Sequence, residues 1–174
     1  KKVKIMQNKK NLGQSRSIYK GIKSSIYDTI VTLDGDGQND PGDINNLLMN
    51  YFADEKIKLV GGIRLFRKDN LIKIASSKIA NFVRRTILKD DCIDTGCSLK
   101  VFSKQSFLSF PYFNGIHRFL PALFKGHYFK TKFIPVNHRA RLHGSSNYGT
   151  FDRLLKGIID MIKVKVIINN RKKK

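Results

Sequence analysis

Two aspartates spaced two apart, Asp34 and Asp36, close the apolar, β-branched run Ile30-Val31-Thr32-Leu33. In an extended segment, side chains two apart share a face, and the glycines at 35 and 37 let the backbone bend so that both carboxylates can reach one ion. Hard oxygen ligands of this kind suit Mg2+ or Mn2+ carrying a substrate's phosphates. The same residues also describe a polar turn whose aspartates cap the next helix, and spacing alone does not choose between the two readings. A second acidic stretch, Asp90-Asp91-Cys92-Ile93-Asp94, precedes another short apolar run. A basic loop with small residues, Asn137 to Tyr148, carries Arg139, Arg141 and Ser146. Guanidinium forks, hydroxyls and backbone amides in such a loop can wrap a phosphate; a solvated basic surface is the competing reading.

The elements that must position these groups follow from periodicity. Val3 to Gln7 alternates apolar and polar residues and predicts a strand, and Ile18, Tyr19, Ile22 and Ile26 fall at helical spacing over residues 15–25. The Ile30–Leu33 strand comes next. Asn39-Asp40-Pro41 then supplies a cap with proline in the first turn, and Ile44, Leu47, Leu48 and Tyr51 predict a helix over 41–53. A strand over 58–63 ends at Arg64, and Ile72, Ala75, Ile79, Phe82, Val83 and Ile87 predict a long amphipathic helix over 71–88 with its lysines and arginines on a solvated face. Ser98 to Phe102 predicts a strand, Ile116 to Phe124 a helix that Pro121 breaks or kinks, and Tyr128 to Val136 a further strand. Alternating strands and helices imply a doubly wound sheet with right-handed crossovers, and ligands of such sheets bind outside the carboxyl ends of the strands.

Composition narrows the partners. The chain has 174 residues and 41% hydrophobic content, enough for one globular domain with a core. Lysine and arginine total 34 against 13 aspartates and glutamates, a net charge of +21 that calls for an anionic counterpart: nucleic acid, an anionic membrane surface or phosphorylated substrates. The two acidic clusters sit in that positive field, which should favour their ionised forms. Cys92 and Cys97 have no second pair, which argues against a disulfide framework or a closed zinc site and leaves them as packing residues. Residues 151–174 carry Leu154, Leu155, Ile158, Ile159, Ile162, Val166 and Ile167 among lysines. The segment is too charged to span a bilayer; it suits a helix lying on anionic lipid, or one packed on the domain.

Taken in order, several motifs resemble the family 2 glycosyltransferases, the branch of dolichyl-phosphate mannosyltransferase and bacterial polyprenyl-phosphate sugar transferases. They are Asn11-Leu12-Gly13; Leu33-Asp34-Gly35-Asp36-Gly37-Gln38 with Asp40-Pro41; Gly62-Ile63-Arg64 with Arg67; Asp94-Thr95-Gly96-Cys97; His117-Arg118-Phe119-Leu120-Pro121; and Arg141, Gly144, Ser146 and Tyr148 in the pattern R-x-x-G-x-S-x-Y. Each motif alone is weak, whereas the ordered set over residues 3–148 is specific. Two departures stand out. No Pro-x-x-Asn-Glu loop and acidic strand end precede Val3, so the chain is expected to lack its first strands, and Asn147 stands where many relatives carry lysine.

The resemblance implies an α/β domain of GT-A type over residues 1–150, Rossmann-like, with a mixed, mainly parallel sheet and flanking helices, followed by an amphipathic basic segment over 151–174. It implies inverting transfer of a sugar from a nucleotide diphosphate donor, GDP-mannose or a UDP-sugar, to a polyprenyl phosphate on the cytoplasmic, inner face of a membrane to which the protein is peripheral. Asp36, assisted by Asp34 and Gln38, would hold Mg2+ or Mn2+, and Arg64 and Arg67 would meet the donor phosphates. Arg139, Arg141 and Ser146 would grip the acceptor phosphate. Asp94, with Arg64, is expected at the reacting centre in an orienting or electrostatic role, and His117 and Arg118 on the acceptor side. Two rivals stay in view: an inactive remnant of such an enzyme, and a non-catalytic basic module that binds nucleic acid or anionic lipid. Against nucleic acid, the chain has no RNP-like aromatic motif or zinc finger, and acidic strand ends repel phosphates unless a metal intervenes.

Overall fold

The computed structural model describes residues 3–64, 71–139 and 150–172. Helix α1 (Gln14–Ser24) leads into strand β1 (Thr29–Thr32), and a 3-10 turn at Pro41–Asp43 opens α2 (Ile44–Phe52). Strand β2 (Ile57–Arg64), α3 (Leu71–Leu88), β3 (Lys100–Ser103) and α4 (Lys104–Leu108) follow. A 3-10 turn at Ile116–Arg118, α5 (Leu120–Gly126), β4 (Lys130–Val136) and α6 (Thr150–Lys172) complete the described chain. The caps work as their residue types suggest. The Asp40 carboxylate accepts the Gly42 amide with Pro41 at the first helical position, and the Ser103 hydroxyl accepts the Ser106 amide to start α4.

The four strands form one mixed sheet in the order β1-β3-β2-β4. β3 pairs antiparallel with both β1 and β2, and β2 pairs parallel with β4, so β1, β2 and β4 share a direction and β3 alone is reversed. The sheet is mixed and most of its strands are codirectional, as expected. Its ladders are not those of a simple doubly wound succession, because the reversed β3 inserts between the first two strands.

Strand alternation splits the apolar residues between two cores. Leu59 and Phe102 face one way and join Ile22, Phe107, Leu123 and Phe124. Val60 and Val101 face the other way and join Leu47, Tyr51 and Val136 beneath α2. The first core also takes Met161, Val164 and Ile168, so α6 packs on the domain along one stripe. The proline at 121 does break the predicted helix, which divides into the 3-10 turn and α5.

Four expectations fail. Val3 to Gln7 forms no strand: Val3 and Ile5 are 89% and 88% exposed, and alternation without a partner strand leaves its hydrogen bonds to solvent. The described part of α3 is turned outward, with Ile79, Phe82, Val83 and Ile87 exposed while Arg84 and Leu88 are buried. The Arg84 guanidinium, assigned to a solvated face, instead meets Asp90 at 2.9 Å and donates to the Cys92 carbonyl. That pairing changes the second acidic cluster as well. Burial pushes the Asp90 carboxyl up from its ordinary value, against the pull of Arg84, where a positive field alone would have lowered it.

Candidate active site

Because β1, β2 and β4 run the same way, their carboxyl ends lie at one edge of the sheet, and the reversed β3 begins at that edge. The turn after β1, the ends of β2 and β4 and the loop before β3 therefore meet there. From β1 comes the acidic turn. Gly37 sits at φ 76, a left-handed conformation that a side chain resists, and the Asp36 carboxylate accepts the Gln38 amide at 3.1 Å. Asp34, Asp36 and Gln38 are each half-buried. The Asp34 carboxylate accepts from the Gln14 side chain at 3.3 Å, and its amide donates to the Asn39 side-chain oxygen at 3.2 Å. Asn39 is buried and ties this turn to the loop before β3 by accepting the Ser98 hydroxyl at 2.6 Å. Thr32 Oγ1 donates to the Ser98 carbonyl at 2.7 Å.

From the end of β2 comes Arg64, held by Asp94 in a two-pronged ion pair. Nε donates to Oδ2 at 2.7 Å and Nη2 to Oδ1 at 2.8 Å, while the Arg64 amide reaches Oδ2 at 3.2 Å. Both side chains are nearly buried. This parallel geometry fixes the guanidinium plane as well as its position. A Cβ at Gly96 would fall 2.9 Å from Arg64 Nη2, so glycine there lets the turn lie against the guanidinium.

From the end of β4 comes the stem of the basic loop, stitched to the segment after the acidic turn. The Asn137 amide and side chain donate to the Asp43 carboxylate at 2.7 and 3.0 Å, and the Arg139 amide donates to the Gln38 carbonyl at 2.9 Å. Asn39 and His138 form an isolated bridge, and Arg139 Nη2 lies 2.6 Å from Asp40 Oδ2. The Gly42 amide and then the Arg139 guanidinium hold the Asp40 carboxyl below its ordinary value. Arg67, Arg141 and Ser146 lie outside the described residues.

Near the same edge, the buried Ser15 hydroxyl accepts the Gly115 amide at 2.8 Å and meets His117 Nδ1 at 2.7 Å. The Ser15 hydroxyl thus ties the neutral imidazole to the Gly115 backbone. Burial, then Arg118 and Lys100, lower the His117 pKa to about 4. Arg118 in turn pairs with Asp160 of α6 at 2.6 Å. Cys92 and Cys97 are buried packing residues, the Cys92 thiol pushed up to about 11 by burial. Ser15, Asp43 and Lys100 escaped the sequence reading, and Asn39 entered it only as part of a helix cap. Of these only Lys100 left a visible signal, a lysine inside the apolar run Leu99 to Phe102.

Among the described residues no three His, Cys, Asp or Glu side chains assemble into a ready metal cage. The acidic turn offers two aspartates and a glutamine instead. That set fits an ion that brings most of its ligands as water and donor phosphate oxygens, the habit of Mg2+.

A mixed α/β sheet with an acidic turn and an arginine at strand ends on one edge belongs to the GT-A-like class of folds. The chain superposes with a TM-score of 0.63 on glucosyl-3-phosphoglycerate synthase from Mycobacterium tuberculosis, solved with Mn2+, UDP-glucose and phosphoglyceric acid. The match covers 89% of this chain and 55% of that one at 15% sequence identity, and at that identity it speaks for the fold. Residues 1–109 match the family model Glycosyl transferase family 2, and the chain belongs to that family. It is 33% identical over 165 residues to dodecaprenyl-phosphate galacturonate synthase of Rhizobium johnstonii, covering 93% of this chain and 48% of the relative. It is 31% identical over 160 residues to undecaprenyl-phosphate 4-deoxy-4-formamido-L-arabinose transferase of Salmonella paratyphi B, covering 92% and 48%. The chain thus spans about half the length of the curated relatives it matches.

Proposed function

We propose that this chain is the transferase part of an enzyme that moves a sugar from a nucleotide diphosphate donor to a polyprenyl phosphate, with inversion at the sugar carbon. The observation that carries this reading is the meeting, at one sheet edge, of the acidic turn, the Arg64–Asp94 pair and the stem of the basic loop. The polyprenyl phosphates in the relatives' names, dodecaprenyl and undecaprenyl phosphate, support the choice of acceptor class.

A departing nucleoside diphosphate gathers negative charge, and a divalent ion, Mg2+ or Mn2+, would supply the Lewis acid that stabilises it. Asp36, with Asp34 and Gln38, would hold that ion. Arg64, its plane set by Asp94, would offer its charge to the same phosphates. Asp94 commits both oxygens to Arg64, which favours an orienting role over that of a base. The acceptor asks for no base: a phosphate monoester is already ionised near neutral pH, so alignment for attack matters most. Arg139, Arg141 and Ser146 would grip it, with Arg67 beside the donor phosphates.

Membrane contact at the cytoplasmic face is part of the proposal. No helix among the described residues is long and apolar enough to cross a membrane. Yet α3 exposes Ile79 and Phe82, and α6 exposes Ile159 and Ile162, while Lys78, Arg85, Lys156 and Lys163 are exposed on the same helices. Apolar residues beside cations match the interface of an anionic leaflet.

The test uses the full-length protein, UDP- and GDP-linked radiolabelled sugars and undecaprenyl phosphate in anionic vesicles. Label should reach the lipid only with Mg2+ or Mn2+, and Asp36→Asn should lower transfer at least about 100-fold, as loss of a key charge stabiliser does, with an unchanged circular dichroism spectrum. Normal turnover by Asp36→Asn would remove the metal assignment, and absence of label in lipid would remove the acceptor.

A further inference from the structure

Lys100 is 4% exposed and opens β3, between Thr32 of β1 and Gly61 of β2. It shares a face with the fully buried Phe102, where an aliphatic residue would be expected. A lysine there gives up its hydration, so something must replace it. What replaces it is the turn that carries Asp94. Lys100 Nζ donates to the Cys97 carbonyl and reaches the Thr95 carbonyl at 3.4 Å, while the Cys97 amide closes the turn on the Asp94 carbonyl at 3.4 Å. Two inward carbonyls thus find their donor in one ammonium. On its other side the turn lies against Arg64, with Gly96 leaving no room for a side chain.

We propose that Lys100 is a positioning residue: from beneath the sheet edge it holds the Thr95–Cys97 turn in the shape that lets Asp94 grip Arg64. The consequence for transfer rests on the functional reading above, in which Arg64 meets the donor phosphates; the structural claim does not. Burial lowers the pKa of Lys100, so its place here rests on the two carbonyls that its nitrogen reaches. A fastener of the core alone would serve β3 and leave Arg64 unaffected, and that is the alternative to exclude.

The experiment follows the Arg64 Nε–H signal by nitrogen-15 NMR in the full-length protein, comparing wild type with Lys100→Met and Lys100→Gln. In wild type the two-pronged pair protects this proton from exchange. Lys100→Met should speed its exchange at least about 10-fold through local opening of the turn, with backbone signals of α2 and α5 unmoved. Lys100→Gln keeps two N–H donors and should stay near wild type. Transfer should follow the same order, kcat/KM falling about 10–100-fold in Lys100→Met, the cost typical of losing an outer partner that orients a charged group. Unchanged Arg64 exchange in folded Lys100→Met overturns the proposal, as does a Gln variant that loosens as much as Met. Should Lys100→Met not fold, the smaller donor-free variant Lys100→Ala is read in its place against Lys100→Gln: faster Arg64 exchange in Ala than in Gln supports the proposal, and equal rates overturn it. The NMR readout needs no substrate, so a chain that transfers no sugar would sink the functional reading and leave this one to stand or fall separately.

Discussion

His117 makes the stability of this domain depend on pH in a direction the structure fixes. Its imidazole is packed against Ser15 in the neutral form, and burial, helped by Arg118 and Lys100, takes its pKa down to about 4 from an ordinary 6.5. The folded chain therefore binds fewer protons at this site than the unfolded chain does. Its contribution is fully present above pH 6.5, declines as pH falls below that value, and is gone once pH passes below about 4. Between those limits, at about 1.36 kcal/mol per pH unit, the loss reaches about 3 kcal/mol. His117→Asn is the informative perturbation, because an asparagine amide can donate to or accept from Ser15 in place of Nδ1 and does not titrate. Urea unfolding of both proteins from pH 7 to pH 4 should show wild type losing about 3 kcal/mol more than the variant, the carboxylates common to both cancelling in the difference. Parallel loss in the two proteins would refute the argument, since it would mean that His117 is as easily protonated folded as unfolded.

Two other substitutions probe packing that the sequence conceals. Asp90→Ala strands the buried Arg84 guanidinium and removes the acceptor of the Cys92 amide; unfolding should show a loss of about 3–5 kcal/mol, as for other buried pairs broken on one side. Gly126→Ala places a Cβ 2.5 Å from Ile168 Cγ1, so α6 must shift. It should cost about 1–3 kcal/mol in urea unfolding and speed amide exchange in α6 more than in α2.

What could be read from the sequence is what local chemistry decides. Asp40-Pro41 started the segment leading into α2, Pro121 split the predicted helix, and the runs Ile30–Leu33 and 58–63 fall in β1 and β2, the first ending one residue early. What could not be read depends on distant partners. The alternation of Val3 to Gln7 looks like that of β4, but among the described residues β4 has a strand to pair with and Val3 to Gln7 has none. In α3 the apolar stripe promised a buried face, yet Asp90 and the Cys92 carbonyl draw Arg84 inward, and Ile79, Phe82, Val83 and Ile87 are exposed. Arg139 drew interest as a phosphate grip because of its neighbours in sequence. Its partner Asp40 lies almost a hundred residues earlier, and no local pattern announces the pairing.

The direction of β3 explains why residues so scattered form one site. In a fully parallel sheet a strand's carboxyl end faces the ligand, and the loop preceding it lies at the far edge. β3 spans four residues, about 13 Å at 3.3 Å per residue, so a parallel β3 would carry Asp94 roughly that far from Arg64. Reversal brings the loop before β3 to the edge where β1, β2 and β4 end. Asp94 can then hold Arg64, and Ser98 can bond Asn39 beneath the acidic turn. The same reversal places Lys100, the first residue of β3, directly under that edge. Its burial and the Arg64–Asp94 pair are two results of one topological choice.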